Sequence, residues 1–216
     1  MRLIQTSLPG VVIVEPAVFG DDRGWFYESF NEPRFHAALA ALGLPAPRAF
    51  VQDNHSCSKA GVLRGLHYQL PPHAQGKLVR VVRGAAFDVA VDIRRGSPSF
   101  GRWAGVLLSE ANRRQLWIPE GFAHGFLALQ DDTHFLYKTT DVYARDCERS
   151  LRWDEPAFGI HWPLAQVAAG DGQPLGQVAA GDGHPLPQAA AHITQPLVAA
   201  KDAAAPALAA ADLPPF

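Results

Sequence analysis

Short stretches of alternating or β-branched apolar residues dominate the first three quarters of the chain. Glycine and proline separate them, and their regular spacing is typical of an antiparallel sandwich or barrel rather than of βαβ units. A tight hairpin is expected at Gly84. The strands predicted in this way are Val11–Val14, Trp25–Phe30, Ala49–His55, Val62–Gln69, Lys77–Arg83, Ala85–Ile93, Trp103–Ser109, Gln115–Ile118, Phe122–Leu129 and His134–Tyr143.

One stretch has the period of an amphipathic helix. Asn31 is a capping residue, Pro33 lies in the first turn, and Gly43 and Pro45 end the pattern. Between these signals an apolar stripe recurs at i, i+4 and i+7, formed by Phe35, Leu39 and Leu42. We therefore predict one short helix in a mainly β protein.

The segment 61–84 mixes cations into two predicted strands, which a Pro-rich loop joins. Period-two alternation places Lys77 on one face with Val79 and Val81, and His67 on one face with Leu63. A cation among apolar residues is costly unless it meets an anion or takes part in chemistry. This segment is therefore the first candidate for a functional site.

The composition changes after Pro163, where alanine, glycine and proline replace the strand pattern. Gln166–Gly176 and Gln177–Pro187 form a tandem duplication of 11 residues. Two copies are too few for a solenoid, which needs about three repeats to bury a core. We predict three parts: a compact domain over 1–164, a low-complexity insertion over 165–195, and a tail over 196–216 that returns to the domain.

Charge and cysteine content narrow the class of protein. The net charge of −2 over 216 residues gives no overall basic field for nucleic acid, and no apolar run is long enough to span a bilayer. No secretory leader is expected, because Met1–Val14 lacks a long apolar stretch. Cys57 and Cys147 are expected to be reduced thiols of a cytoplasmic protein, with a disulfide as the alternative.

Six motifs, in order along residues 1–163, resemble the dTDP-4-dehydrorhamnose 3,5-epimerases. They are DDRGWFYESF at 21–30, QDNHS at 52–56, GVLRGLHYQ at 61–69, QGKLVRVVRG at 75–84, IPEGFAHGFL at 118–127 and FLYKTTDVY at 135–143. The resemblance implies a cupin-type antiparallel jelly roll, here with one short N-terminal helix and an irregular C-terminal extension, and it implies a homodimer.

The resemblance also implies a reaction. The C–H bonds at C3 and C5 of a 4-keto sugar are acidified by the ketone, so epimerisation needs a base, a donor for the enolate oxygen and an acid on the opposite face. No cofactor or metal is required. The expected conversion is dTDP-4-dehydro-6-deoxy-D-glucose to dTDP-4-dehydro-L-rhamnose, for dTDP-L-rhamnose and cell-surface polysaccharide biosynthesis.

Three side chains match the reacting groups of the family. His67 matches the base, since neutral imidazole accepts a proton near pH 7. Tyr137 matches the acid, and alternation places it on one face with Phe135 and Thr139. Lys77 matches the donor that stabilises the enolate. Taken without the resemblance, the same residues also suit a core histidine, a core tyrosine and a surface lysine.

Asp202 matches an aspartate that the family pairs with its base, where it orients the imidazole. Two departures from the family weaken this match. The duplication separates Lys201–Asp202 from Trp162–Leu164, and Ala203 follows where a basic residue is expected. An ordinary solvated aspartate is the alternative.

Substrate-binding residues follow from the same motifs. Arg23 and Arg64 match arginines that contact the diphosphate. A regular strand places Arg64 and His67 on opposite faces, so a bulge at Gly65 is needed to bring both to one site. Tyr143 suits stacking on the base. The remaining matched contacts are Glu28, Gln52, Asp53, Asn54, His124, Glu148 and Lys201.

Other functions remain open at this point. Metal-dependent cupins, such as dioxygenases or isomerases, usually carry an HxH pair, a following glutamate and a later histidine. Here Gln69 stands two residues after His67, and His67 and His124 lack a third ligand. A mono-epimerase of a related sugar and a non-catalytic sugar-nucleotide-binding cupin are the further alternatives.

Overall fold

The computed structural model describes residues 1–164 and 193–215. These residues form fourteen strands and two α-helices, α1 (Glu32–Ala41) and α2 (Ala200–Ala203). The strands are β1 (Arg2–Gln5), β2 (Val12–Glu15), β3 (Val18–Asp21), β4 (Gly24–Tyr27), β5 (Gln52–Ser58), β6 (Val62–Gln69), β7 (Lys77–Arg83), β8 (Ala85–Asp92), β9 (Trp103–Ser109), β10 (Gln115–Ile118), β11 (Phe122–Ala128), β12 (Thr133–Thr139), β13 (Glu148–Ser150) and β14 (Leu197–Val198).

Two sheets face each other across the main core. The first has the order β1-β2-β10-β7-β12-β5 and the second β13-β6-β11-β8-β9, with β14 beside β6. Neighbouring strands are antiparallel apart from β14, which runs parallel to β6. Residues that alternate inward from both sheets fill the space between them, among them Val79, Val81, Ala86, Ala90, Leu116, Phe126 and Phe135. This is the mainly β, cupin-type architecture that was predicted.

The helix α1 covers the outer face of the first sheet. Asn31 caps it, and its side chain accepts a hydrogen bond from the Arg34 N–H at 3.2 Å. Phe35 and Leu39 are fully buried in a cluster that includes Trp117. The predicted cap and apolar stripe are therefore confirmed, and the stripe packs the helix against the sheet.

Most strand limits agree with those predicted from the hydrophobic pattern, and the errors of the prediction have a physical cause. Four strands, β6, β7, β9 and β10, have the predicted limits. The strand predicted over Ala49–His55 begins at Gln52, and the one predicted to Tyr143 ends at Thr139. Four short strands, β1, β3, β13 and β14, were missed. A strand of two to four residues carries too little local signal to be recognised. In addition, β13 and β14 are held by pairing with β6, which is distant in sequence.

The C-terminal residues 197–215 lie against the second sheet. Leu197 donates its N–H to the Gly61 carbonyl at 2.7 Å, and Tyr68 donates its hydroxyl to the Asp212 carbonyl at 2.7 Å. Ala211 is buried in the outer cluster of that sheet, together with Trp162. The duplicated segment lies outside the described residues, so the three-part division of the chain stays a prediction.

Two further expectations concerned reduced cysteines and the absence of a membrane-spanning segment. Cys57 and Cys147 are both free. Within 1–164 and 193–215, no helix is long and apolar enough to cross a membrane.

Candidate active site

A cavity of about 420 Å³ opens between the two sheets. Its volume lies within the range of about 300–1,000 Å³ that small-molecule sites occupy. The cavity brings together residues from seven strands and from α2. Those matched by the sequence motifs are Gln52, Asn54, Arg64, His67, Lys77, His124, Tyr137, Tyr143, Glu148, Lys201 and Asp202.

A bulge in β6 brings Arg64 and His67 to the same cavity. His67 pairs with His124 and Arg64 pairs with Phe126, so three steps along β6 match two steps along β11. Gly65 lies at the bulge with a φ of +133°, and a Cβ there would stand 2.5 Å from the Gly125 Cα. The bulge expected at Gly65 is present. The expectation that His67 shares a face with Leu63 is wrong, because the extra residue shifts the alternation and Leu63 packs in the outer cluster.

Asp202 reaches His67 across the fold. Its Oδ1 lies 2.7 Å from the His67 Nε2, and its Oδ2 accepts the Gly65 N–H at 3.3 Å. Burial raises the pKa of Asp202, but hydrogen bonding and charge attraction from His67 outweigh it and hold that pKa below its usual value. An ionised carboxylate only accepts hydrogen bonds, so the His67 Nε2 carries the proton of this contact, and Nδ1 is the nitrogen left to act as a base.

Lys77 is buried in the wall of the cavity, and only 8% of it is exposed. Its Nζ donates to the His67 carbonyl at 3.4 Å. Burial lowers the pKa of Lys77 to about 8, against the attraction of Asp88 and Glu148. The inward phase predicted for this lysine is therefore confirmed, with Val79 and Val81 in the core beside it.

Tyr137 stands on the sheet opposite His67. It lies on β12 and packs against the main core beside Phe135, whose ring centroid is 6.3 Å away. Burial raises the pKa of Tyr137 and outweighs the opposing charge of Arg64, so its phenol keeps its proton at neutral pH. The cavity thus has an imidazole on one sheet and a protonated phenol on the other.

A carboxylate links the rim of the cavity to the C-terminal segment. Glu148 accepts hydrogen bonds from the Tyr143 hydroxyl at 3.0 Å and from the Lys201 Nζ at 2.9 Å. Burial raises the pKa of Glu148, but the hydrogen bonds from Lys201 and Tyr143 bring it below its usual value. Tyr143 remains 54% exposed, which leaves its ring available to a ligand.

The strand β5 presents polar groups to the same space. The Gln52 Nε2 donates to the Asn54 Oδ1 at 2.9 Å, and its Oε1 accepts the Tyr143 N–H at 2.9 Å. These two amides therefore hold each other and the rim in place. Arg64 donates to the Ser58 hydroxyl from both Nε and Nη2 at 3.3 Å.

Three predicted contacts do not line the cavity of their own chain. Arg23 lies at the exposed turn of the β3–β4 hairpin and pairs with Asp21 at 2.5 Å. Glu28 precedes α1 and accepts from Arg34 at 3.1 Å. Asp53 lies on the opposite face of β5 from Gln52 and Asn54, where Lys138 pairs with it. The roles of Arg23, Glu28 and Asp53 stay predictions.

Sequence reasoning missed Asp88. It lies on β8, is 0% exposed, and its Oδ2 lies 2.9 Å from the His124 Nε2. The available signal was a carboxylate in a strand whose eight residues are otherwise apolar apart from Asp92 at its end. This signal is useful only if β8 is already known to turn Asp88 toward the space between the sheets.

In the described residues, the histidines are not arranged as they are in metal-binding cupins. Gln69 is held by the His73 carbonyl and by the Ala144 N–H, and His73 pairs with Asp141. Within the described parts of the chain, no group of three or more His, Cys, Asp or Glu residues is placed to hold a metal ion.

The fold and the cavity together define a class of protein. A two-sheet cupin-type scaffold holds a carboxylate-oriented imidazole and a protonated phenol on facing sheets, with a buried ammonium group between apolar residues. These groups suit an enzyme that uses acid–base catalysis at a carbon beside a carbonyl group.

The chain belongs to the dTDP-4-dehydrorhamnose 3,5-epimerase family, whose model matches residues 5–210. A dTDP-4-dehydrorhamnose 3,5-epimerase of Shigella flexneri is 55% identical over 171 residues, which cover 79% of this chain and 92% of the relative.

Solved structures are similar over nearly the whole chain. A dTDP-6-deoxy-D-glucose-3,5-epimerase from Legionella pneumophila, in complex with dTDP-4-keto-L-rhamnose, has a TM-score of 0.80 and 43% identity. The match covers 100% of this chain and 98% of that one. A 3'-monoepimerase from Streptomyces bikiniensis, in complex with dTDP-quinovose, has a TM-score of 0.75 and 33% identity, covering 100% of this chain and 93% of that one.

Proposed function

We propose that this enzyme epimerises C3 and C5 of dTDP-4-dehydro-6-deoxy-D-glucose and so forms dTDP-4-dehydro-L-rhamnose, a step in the biosynthesis of dTDP-L-rhamnose. The observation that carries the proposal is the pair of proton-transfer groups on opposite sheets of one cavity. His67 is oriented by Asp202 on one side, and Tyr137 stands on the other. Inversion of a carbon beside a ketone requires such a pair, since the proton leaves one face and returns to the other.

Each proton transfer has a named partner. The His67 Nδ1 removes the proton beside the C4 ketone, and the imidazolium that forms is stabilised by the Asp202 carboxylate. The negative charge that develops on the C4 oxygen is stabilised by the Lys77 ammonium group. Tyr137 then returns a proton to the opposite face of the same carbon. His67 then releases its proton to solvent and Tyr137 takes one up, after which the other carbon beside the ketone inverts by the same sequence.

The polar rim suits the nucleotide. Arg64 at the mouth of the cavity offers a forked donor to a diphosphate, and Lys201 adds a second positive charge. Gln52 and Asn54 offer amide donors and acceptors, which match the edge of a pyrimidine base. Tyr143, with its exposed ring, suits stacking on that base.

A homodimer accounts for the contacts that the chain does not supply to its own cavity. Among the described residues, the strands of the β3–β4 hairpin, which carries Arg23, pair only with each other, and the hairpin exposes Phe19, Trp25 and Phe26 by 59–69%. The strand β5 ends the first sheet beside the cavity, and its outer edge has no partner strand among the described residues. We infer that the hairpin of one protomer lies over the cavity of the other. The free thiols of Cys57 and Cys147 favour the cytoplasm.

Incubation with dTDP-4-dehydro-6-deoxy-D-glucose in deuterated water tests the reaction. Deuterium is expected at C3 and at C5, with the inverted sugar as product. Label at C3 alone would make the chain a mono-epimerase. Loss of exchange after treatment with a chelator would favour a metal-dependent cupin, and tight dTDP binding without exchange would favour a binding protein.

Substitution of the base tests the residue assignment. His67→Ala is expected to lower exchange at both carbons by roughly 10²–10⁴-fold, since a placed base contributes about that much, while dTDP still binds. His36→Ala is the matched control, because His36 lies on α1 outside the cavity. Unchanged exchange in His67→Ala would remove His67 as the base.

A further inference from the structure

Gln69 is a buried amide in the cavity wall that the proposed reaction does not use. It is the last residue of β6 and is only 5% exposed. Its Nε2 donates to the His73 carbonyl at 2.6 Å and to the Val142 carbonyl at 3.2 Å, and its Oε1 accepts the Ala144 N–H at 2.8 Å. Both N–H donors and the carbonyl of this side chain are therefore engaged by backbone groups.

Two of these three contacts hold the segment that carries Tyr143. Residues 140–147 connect β12 in the first sheet to β13 in the second. The Val142 carbonyl and the Ala144 N–H belong to the two peptide groups on either side of Tyr143, so Gln69 binds both of them. The N–H of Tyr143 itself donates to the Gln52 Oε1 at 2.9 Å. One amide from each sheet thus holds the backbone at Tyr143.

The ring of Tyr143 depends on this support. It lies at the mouth of the cavity and is 54% exposed, and its hydroxyl donates to the Glu148 Oε2 at 3.0 Å. The position of such an exposed ring is set by its backbone and by the hydrogen bond at its far end. A ring that is already held in place loses less conformational freedom when a ligand stacks on it, so the ligand binds more tightly.

We propose that Gln69 is a positioning residue for nucleotide binding: it fixes the backbone on both sides of Tyr143 and so preorganises that ring for the base of the substrate. This inference rests on the proposed function, because it takes Tyr143 as the residue that stacks on the base. Gln69 acts through Tyr143, since its own hydrogen-bonding groups are engaged by the backbone.

The other two side chains that hold Tyr143 are less suited to a test. Gln52 and Glu148 also line the cavity, and both match direct contacts with the substrate. Their removal would alter the contacts with the ligand together with the position of the ring. Removal of the Gln69 amide alters the support of the ring and leaves those contacting groups in place.

The affinity for dTDP in Gln69→Met tests the inference. Methionine is similar in size and has no amide, so all three contacts with the backbone are lost. Calorimetric titration is expected to show binding weakened by roughly 5–10-fold, the worth of about one net hydrogen bond. KM should rise by a similar factor while kcat stays within about twofold, because Asp202 and not Gln69 orients His67.

Tyr143→Ala shows whether Gln69 acts through the ring. This variant is expected to bind dTDP roughly 10–100-fold more weakly, the contribution of one base stacked on an aromatic ring. Once the ring is absent its support has no further effect, so Gln69→Met added to Tyr143→Ala should weaken binding by less than about twofold more. An equal loss with and without the ring would overturn the inference.

Thr133→Val is the matched control. Thr133 lies at the other end of β12 outside the cavity, is 0% exposed, and donates its hydroxyl to the Gln130 carbonyl at 2.8 Å. The variant also loses a contact between side chain and backbone, so its stability should fall while its affinity for dTDP stays at the wild-type value. If Gln69→Met does not fold, Gln69→Asn, whose amide is one methylene too short for these contacts, carries the same expectation.

The outcomes separate this inference from the proposed function. A folded Gln69 variant that binds dTDP as tightly as the wild type overturns the inference, and so does a fall in kcat at unchanged KM. An equal loss of affinity in Thr133→Val would show a general effect of lower stability and would also overturn it. A wild-type enzyme that exchanges no deuterium into the 4-keto sugar overturns the proposed function instead, whatever the affinity of the variants for dTDP.

Discussion

Single residues in the cavity divide the reaction into separable steps. His67 and Tyr137 lie on different sheets, so removal of one leaves the position of the other intact. The carboxylate of Asp202 is 2% exposed and stands 2.7 Å from the imidazole, which fixes the ring and its tautomer. Loss of the base and loss of the acid are therefore expected to impair proton exchange and inversion differently.

Tyr137→Phe is expected to uncouple exchange from inversion. His67 can still remove a proton and return a deuteron to the same face, so the recovered substrate should carry label. The inverted product should fall by roughly 10²–10⁴-fold, because the acid of the opposite face is lost. Mass spectrometry of substrate and product after incubation in deuterated water measures both quantities.

Tyr68→Phe is the control for the loss of a phenol. Its hydroxyl donates to the Asp212 carbonyl, so its removal should cost about 1 kcal/mol of stability. The ratio of exchange to inversion should stay at the wild-type value. Inversion at the wild-type rate in Tyr137→Phe would show that another group supplies the proton.

At the scale of elements, the bulge in β6 decides which side chains share the cavity. Without the extra residue, Arg64 and His67 would point to opposite faces of the sheet. The bulge also brings the backbones of β6 and β11 into close contact at Gly65 and Gly125. A side chain at this point has no room, and the backbone conformation favours glycine.

Gly65→Ala should therefore destabilise the fold and impair the site together. With a φ of +133° and a Cβ 2.5 Å from the Gly125 Cα, it is expected to cost at least ~3 kcal/mol of the free energy of unfolding, measured by urea denaturation. Gly96→Ala is the control, since Gly96 has a φ of +88° but nothing within 4 Å of a Cβ. It should cost about 1–2 kcal/mol. Equal losses in the two variants would contradict the role of close strand contact.

At the scale of the whole molecule, the exposed β3–β4 hairpin is a feature that contacts within one chain do not explain. Large aromatic side chains rarely cluster on a free surface, and such patches mark interfaces. Phe26 is 69% exposed and lies on the same hairpin as Arg23. If the hairpin covers the cavity of a second copy, dimer formation and substrate binding depend on it together.

Phe26→Asp is expected to give a monomer that binds dTDP more weakly, although its own cavity is unchanged. Loss of a forked arginine contact to the diphosphate costs about 1.5–3 kcal/mol, or roughly 10–100-fold in affinity. Sedimentation equilibrium and calorimetric titration with dTDP measure the two effects. Phe100→Asp, at another exposed aromatic, should leave both unchanged. A monomer with wild-type affinity would show that Arg23 does not act across the interface.

Local patterns determined much of this protein without its coordinates. Alternation alone predicted the strand that carries Lys77 and the inward phase of Lys77 and Tyr137, because a period of two assigns each side chain to a face. The capped, amphipathic helix was predicted for a similar reason. The motifs at 61–69 and 135–143, through their resemblance to the family, pointed to Arg64, His67, Tyr137 and Tyr143, which line the cavity.

Tertiary structure decided the contacts between parts of the chain that are distant in sequence. The pairing of Asp202 with His67 spans 135 positions, and no local pattern specifies it. The extra residue at Gly65 depends on how closely β11 approaches, and the partner of the buried Asp88 is His124 on the neighbouring strand. Sequence periodicity sets the face of a side chain, but only the packed fold sets which groups it meets there.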